Sequence, residues 1–239
     1  MKIKIFKKGF NYSQDGPGNR LVFHMQGCNM HCPWCANPEG MTSKGESTEI
    51  HELEEEAEGA QRLMFGGGGV TFTGGEPTVQ FEPLKKFLKL LQLKGINTAV
   101  ETNASHPKLF ELFELIDYLI IDFKHYDSVK HKKETGIDND IIKSNIEKAC
   151  VAHKNVLIRT VLIKDFNANS DDLNGFLDFY AKLNVTAVKF ELLPYHEYGR
   201  VKWEKLGLKY NVQNVFVSDE AVKQFQCRYK ERGLQVVTT

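Results

Sequence analysis

The sequence predicts an α/β fold: one domain over residues 1–239, built as a partial (β/α)6 barrel of TIM-like type. Three observations carry this. Short β-rich runs alternate with amphipathic helical stretches from the first quarter of the chain to its end, the pattern of a parallel sheet with crossover helices. With 239 residues, 41% of them hydrophobic, the chain can bury one substantial core, and α/β barrels of this size form single domains. Unusual polar residues recur directly after successive strands, where parallel barrels build their chemistry.

Strands are expected at Leu21–Met25, Val70–Thr73, Thr98–Glu101, Tyr118–Asp122, Val156–Ile163 and Ala187–Leu192, each rich in apolar, mostly β-branched or aromatic residues. A further short one is expected near Leu234–Val237. Between them, apolar residues at helical spacing mark Ile50–Met64, Phe81–Leu93, Pro107–Leu115, Ile141–His153, Asp171–Lys182 and Ser218–Arg232. The run Glu54-Glu55-Glu56 is expected to face solvent, Trp203–Val217 reads as an irregular surface loop, and Cys150 and Cys227 read as buried free thiols in helices. No repeat, low-complexity tract or long linker marks a domain boundary.

Charge narrows the partners. Lys plus Arg equals Asp plus Glu at 31 each, so no global basic field draws in nucleic acid or an anionic membrane. No apolar run approaches the length of a membrane span. Five cysteines without a preceding apolar signal segment suit a reducing cytoplasm better than a disulfide framework.

Three of those cysteines form Cys28-Asn29-Met30-His31-Cys32-Pro33-Trp34-Cys35, directly after the first expected strand. A C-x3-C-x2-C loop offers a [4Fe-4S] cluster three thiolates and leaves one iron open to a substrate or cofactor, whereas ferredoxin-type clusters take a fourth cysteine. A structural zinc site completed by His31, His24 or His51 is the rival reading, and it would make the chain a non-catalytic binding module. A disulfide within the loop is a third.

The same rim collects further candidates. Gly74-Gly75-Glu76-Pro77 follows the second strand; close backbone approach at its glycines would let carbonyls and a carboxylate meet an ammonium group, and a tight strand-to-helix turn is the plainer reading. Glu101-Thr102-Asn103 follows the third strand and Asp122-Phe123-Lys124 ends the fourth, where Asp122 needs a partner in Lys124, a cation or a ligand. Arg159 lies inside an apolar strand and needs a partner too; a carboxylate-bearing ligand would suit it. Tyr195-His196 follows the sixth strand.

Taken together, the cysteine loop, Asp15-Gly16-Pro17-Gly18-Asn19-Arg20, Thr73-Gly74-Gly75-Glu76, Thr102-Asn103, Asp122-Phe123-Lys124, Arg159 and Leu192-Leu193-Pro194-Tyr195-His196-Glu197-Tyr198-Gly199 resemble the radical S-adenosylmethionine (SAM) enzymes. More narrowly they resemble the glycyl radical enzyme activases of the pyruvate formate-lyase type, nearly end to end. The resemblance implies that Cys28, Cys32 and Cys35 hold a [4Fe-4S] cluster and that SAM is cleaved there by one electron. The outcome is removal of a hydrogen from a glycine Cα of a partner enzyme. It places Trp34, Cys35 and Ala36 against adenine, and Gly74, Gly75, Glu76, Asp122, Phe123, Lys124, Arg159 and His196 around SAM. It also implies a monovalent cation at Glu101, Thr102 and Asp122, with Asp15 and Arg20 where the partner's glycine loop enters. A flavodoxin or ferredoxin as reductant and a monomeric state follow from the same resemblance. An activase of another glycyl radical enzyme, or a radical SAM enzyme acting on a small molecule, is the alternative within this chemistry. Two features depart from the formate-lyase pattern: Glu101 stands where those activases carry Asp, and Ala36-Asn37-Pro38-Glu39 replaces their His-Asn. No ferredoxin-like insert is present, since only Cys150 and Cys227 remain outside the loop.

Overall fold

The computed structural model describes residues 1–42 and 44–238. Its strands are β1 (Lys2–Tyr12), β2 (Asn19–Met25), β3 (Glu46–Glu49), β4 (Gly69–Gly74), β5 (Thr98–Thr102), β6 (Tyr118–Asp122), β7 (Val156–Leu162), β8 (Val188–Pro194) and β9 (Gln235–Val236). The helices are α1 (Ile50–Gly59), α2 (Phe81–Leu93), α3 (Ser128–Thr135), α4 (Asp140–Ala152), α5 (Ser170–Tyr180), α6 (Arg200–Lys205) and α7 (Asp219–Glu231). All the strands join one sheet in the order β3-β1-β2-β4-β5-β6-β7-β8-β9. From β2 to β9 neighbouring strands run parallel, while β1 pairs antiparallel with β2 and β3. The two edge strands, β3 and β9, do not meet, so the barrel is open, as the partial barrel read from the sequence requires. No helix among the described residues is long and apolar enough to cross a membrane.

Strand alternation sorts the side chains into two layers. Outward rows meet the helices: Phe23 and Phe72 pack on Phe87 of α2 at 5.7 and 5.1 Å, Phe123 on Phe176 of α5 at 5.6 Å, and Phe190 on Tyr180 and Tyr229 at 4.7 and 5.8 Å. Each such ring, removed from water, contributes roughly 2–3 kcal/mol. Inward rows line the lumen: Tyr118, Ile120 and Asp122 on β6, and Leu157, Arg159 and Val161 on β7. The lumen therefore runs from an apolar lower end, at the strand N-termini, to a polar upper end.

Several elements differ from expectation. The helix expected over Ile50–Met64 stops at Gly59 and continues as a 3-10 turn, Gln61–Leu63. The stretch Pro107–Leu115 is 3-10 from Leu109 onward. Strands β1 and β3, helix α3 and the short helix α6 are additions; α6 overlaps the stretch read as an irregular loop. Cys150 is buried as expected, but Cys227 is exposed, on the solvent side of α7.

Candidate functional site

The cysteine loop leaves β2 at the upper end and is fixed from three sides. Its own turn is closed by Cys35 N–H donating to Cys32 O at 3.1 Å, and His31 N–H donates to Thr135 O, at the end of α3, at 2.9 Å. Helix α3 is placed to do this by Asp127, whose carboxylate caps it by accepting from Lys130 N–H at 2.8 Å, and by Gly136, whose φ of 93° ends it. The third side is α6. Trp203 Nε1 donates to Cys35 O at 2.9 Å, and Lys202 Nζ donates to Ala36 O at 2.9 Å and Asn37 Oδ1 at 2.7 Å. Gly199 ends the turn before α6, where any Cβ would collide with the Cys35 carbonyl. Lys202 and Trp203 were not among the residues read from the sequence; the only signal was their nearness in sequence to Tyr195-His196.

Gly74-Gly75-Glu76 forms the neighbouring wall. Gly74 has a φ of 115°, and a Cβ on Gly40 would lie 2.7 Å from Gly75 Cα, so this loop and the one after the cysteines touch backbone to backbone. Glu76 is buried, and its carboxylate accepts from Thr78 N–H at 3.0 Å, Thr102 Oγ1 at 2.7 Å and Asn103 N–H at 2.7 Å. It buckles the loops after β4 and β5 together, a use of the carboxylate that its motif alone did not reveal.

These walls enclose a cavity of about 250 Å³, open at the top. Cys28, Cys32 and Cys35 line it with Trp34, Ala36, Gly74, Gly75, Glu76, Glu101, Thr102, Asp122, Lys124, Arg159 and His196. Residues from every strand end between β2 and β8 thus converge as the sequence reading required. Phe123 does not join them: strand alternation turns its ring outward onto α5, and only its backbone borders the site. Arg20 is also elsewhere. It sits at the root of β2, fully buried, and donates to Thr71 Oγ1 at 2.6 Å, Val70 O at 2.8 Å, Asn97 Oδ1 at 3.0 Å and Pro17 O at 3.2 Å. No surface there is left for a partner to touch through Arg20, whereas Asp15, in the β1–β2 turn, is only half-buried.

Electrostatics divide the cavity. Burial pushes the Cys28 thiol up to about 12 and Cys32 to about 11, and raises Cys35 as well. Without a metal all three are neutral at pH 7; a thiophilic metal group that takes their protons is what such a set suits. Among the described residues no three of His, Cys, Asp and Glu gather closely enough to hold a single ion, so the three thiols, with or without a histidine, do not form a tetrahedral zinc set. His31 is exposed and His51 pairs with Glu55 on the surface of α1. A multi-iron cluster needs its three thiolates around one cavity, and that is how they stand.

Opposite the thiols, Lys124 Nζ lies 3.5 Å from Asp122 Oδ2; burial alone would lower its pKa, but Asp122 and the cysteine sulfurs outweigh this and raise it. Burial pushes the Glu101 carboxyl up to about 7, with Arg159 pulling down and Asp122 and Asp15 adding to the rise. Glu101 accepts from Thr73 Oγ1 at 2.6 Å and from Arg159 Nη1. Arg159 also donates through Nε to Glu191 Oε2 at 2.7 Å and through Nη2 to Gln14 O at 2.9 Å. The partner demanded by a buried arginine is therefore supplied by protein carboxylates, not left for a ligand. His196 stacks on Tyr198 at 4.0 Å, and burial lowers its pKa, leaving a neutral ring at the cavity edge.

Known proteins resemble this chain in sequence and fold. The family model of the radical SAM superfamily matches residues 22–179. The pyruvate formate-lyase-activating enzyme of Staphylococcus epidermidis is 34% identical over 222 residues, 88% of each chain. That of Staphylococcus aureus (strain USA300) is 35% identical over 221 residues, 87% of this chain and 88% of its own. Among solved structures, a domain of the pyruvate-formate lyase-activating enzyme of Bacteroides vulgatus superposes with a TM-score of 0.59 at 30% identity, covering 71% of this chain and 98% of that one. A radical SAM methyltransferase of Sphaerobacter thermophilus, at 15% identity and a TM-score of 0.71, shares the fold over 96% of this chain and 68% of its own. Matched over two-thirds of its length by the family model and over most of its length by these relatives, the chain belongs to the radical SAM superfamily and, within it, to the family of pyruvate formate-lyase-activating enzymes.

Proposed function

We propose that this chain activates a glycyl radical enzyme, with pyruvate formate-lyase as the leading client. The observation that carries the reading is the strand-end cavity in which the buried Cys32 and the partly buried Cys28 and Cys35 face Gly74-Gly75, Lys124 and His196. When bound, the [4Fe-4S] cluster and SAM supply one-electron cleavage of the S–C5′ bond and the hydrogen abstraction that follows from it. The chain's own residues bind, aim and exclude. Cys28, Cys32 and Cys35 would give up their thiol protons to hold the cluster. The bared backbone at Gly74 and Gly75 lets an amino-acid moiety come close, and Lys124 and the neutral His196 offer hydrogen bonds to its polar groups. Trp34, packed on Phe166 at 4.8 Å, presents with Cys35 and Ala36 a wall for a purine. Asp122 and Glu101 repel each other across the cavity, and a monovalent cation between them would offset that repulsion.

The half-buried Asp15 marks where a glycine loop would approach, and a flavodoxin or ferredoxin would supply the electron to a monomeric chain in the cytoplasm. The test is anaerobic incubation of reconstituted protein with SAM, dithionite and formate-lyase, reading 5′-deoxyadenosine by chromatography and the glycyl doublet by electron paramagnetic resonance. A doublet on formate-lyase is expected. Deoxyadenosine without a doublet on any candidate enzyme would replace the activase reading with small-molecule radical SAM chemistry.

A further inference from the structure

The turn between β1 and β2, residues 13–18, folds beneath the lumen. Its shape is fixed by left-handed backbone at Ser13 (φ 65°), Gly16 (φ 117°) and Gly18 (φ 71°), and by Ser13 N–H donating to Gly18 O at 3.0 Å. Within the hairpin Asn11 Nδ2 donates to Gln14 Oε1 at 3.2 Å and to Asp15 Oδ2, and three side chains from other parts of the sheet hold the turn's carbonyls. Thr71 Oγ1 of β4 donates to Asp15 O at 2.7 Å, Arg20 of β2 donates to Pro17 O, and Arg159 of β7 donates to Gln14 O. Only Arg159 also borders the cofactor cavity.

Its guanidinium is a planar fork whose donors act in fixed relative directions. One edge carries Gln14 O; the others carry Glu101, which faces the cavity, and Glu191, which is buried behind it. A shift of Glu101 when the cavity fills is therefore passed to the fork, which draws the Gln14 carbonyl, and with it the turn, closer. We propose that Arg159 is a positioning residue that couples filling of the SAM cavity to the placement of the Gln14–Asp15 turn, and that it does not itself bind SAM. The inference rests on the proposed function for its meaning: filling of the cavity would tighten the hold on the turn that carries Asp15 before the partner loop arrives. A coupling of this kind between two sites is worth about 5–150-fold in affinity and is reciprocal.

The experiment uses the full chain with its cluster reconstituted, kept anaerobic, as wild type and as Arg159→Lys, which keeps the charge but loses the fork. Hydrogen exchange of the 13–18 amides is followed with and without SAM, and SAM affinity is measured by equilibrium dialysis. In the wild type, SAM should slow exchange in the turn about tenfold; in Arg159→Lys that slowing should vanish while SAM affinity changes less than about fivefold. Loss of SAM affinity by about fiftyfold or more, with SAM-dependent protection of the turn retained, would overturn the inference and make Arg159 a ligand. Absence of SAM-dependent protection in the wild type would also overturn it, and this measurement decides the matter should the variant not fold. Glu191→Gln, which loosens the fork from behind, should weaken the slowing in the same sense. None of these readouts involves a partner enzyme, so a missing glycyl doublet strikes the proposed function alone, and a missing exchange effect strikes this inference alone.

Discussion

On β6 one inward row runs Tyr118, Ile120, Asp122, and on β7 the matching row runs Leu157, Arg159, Val161. The first members of each row line an apolar cavity of about 420 Å³ at the lower end, together with Gly16, Pro17 and Val237. Asp122, Arg159 and Val161 line the upper cavity with the thiols. Two residues of strand, about 7 Å, separate surfaces of opposite character. Between them lies a charged layer, Glu101–Arg159–Glu191, with the Gln14 carbonyl. The comparison teaches a division of labour along each strand: its end carries chemistry and its root carries stability, so that a residue's role depends on its depth in the lumen as much as on its type.

The strongest way to break that division is a pair of substitutions. Cys32→Ala should abolish [4Fe-4S] incorporation and SAM cleavage, read as loss of brown colour, iron and 5′-deoxyadenosine, while the urea midpoint moves little. Arg20→Leu should do the reverse. It strands four or more buried acceptors at the root of β2 and should lower unfolding stability by about 3 kcal/mol, read by urea titration, with SAM cleavage per folded molecule near wild type. If Arg20→Leu were instead stable and inactive, the depth rule would be wrong for this strand.

A pH titration sharpens the same comparison. His131 of α3 is fully buried, its Nδ1 faces Ile137 O at 2.8 Å, and burial lowers its pKa to about 4. Because the folded pKa lies below the unfolded 6.5, the neutral ring's contribution is complete above pH 6.5 and is lost as pH falls toward 4, by at most about 3 kcal/mol. His131→Gln should flatten that part of the stability–pH curve. An unchanged acid slope in the variant would show that the charging of other groups governs it. The smallest effect is expected from Trp203→Phe, which removes one hydrogen bond to Cys35 O: about 1 kcal/mol of local stability, seen as faster amide exchange in the cysteine loop with the global midpoint unmoved.

Much of this was legible beforehand, because the parallel strands are apolar runs that end in polar residues, and each end could be placed on one rim without knowing the register. What escaped did so for physical reasons. Arg20 is close to the cysteine loop in sequence, but the five residues from it to Met25 are extended strand and carry it roughly 16 Å to the opposite end of the lumen. Phe123 travels with Asp122 and Lys124 in a motif, yet a motif ignores the period of two that turns it into the core. Arg159 announced its need for a partner, but its carboxylates come from β5 and β8, and only the curvature of the open sheet brings β5 within reach of β7. Strand β3 is four polar residues long and pairs only at the sheet edge, so it carries no hydrophobic signal. The grip of α6 on the cysteine loop runs through backbone carbonyls, which no side-chain pattern encodes.

That grip spans 165 to 168 residues of chain. A ribosome making this protein from its N-terminus has released the three cysteines long before it has made Gly199, Lys202 and Trp203. For that interval the thiols sit on a loop without its C-terminal brace, and the last sixth of the chain then closes over Cys35 and Ala36. The order of synthesis thus leaves the loop without this brace until the C-terminal sixth of the chain has been made.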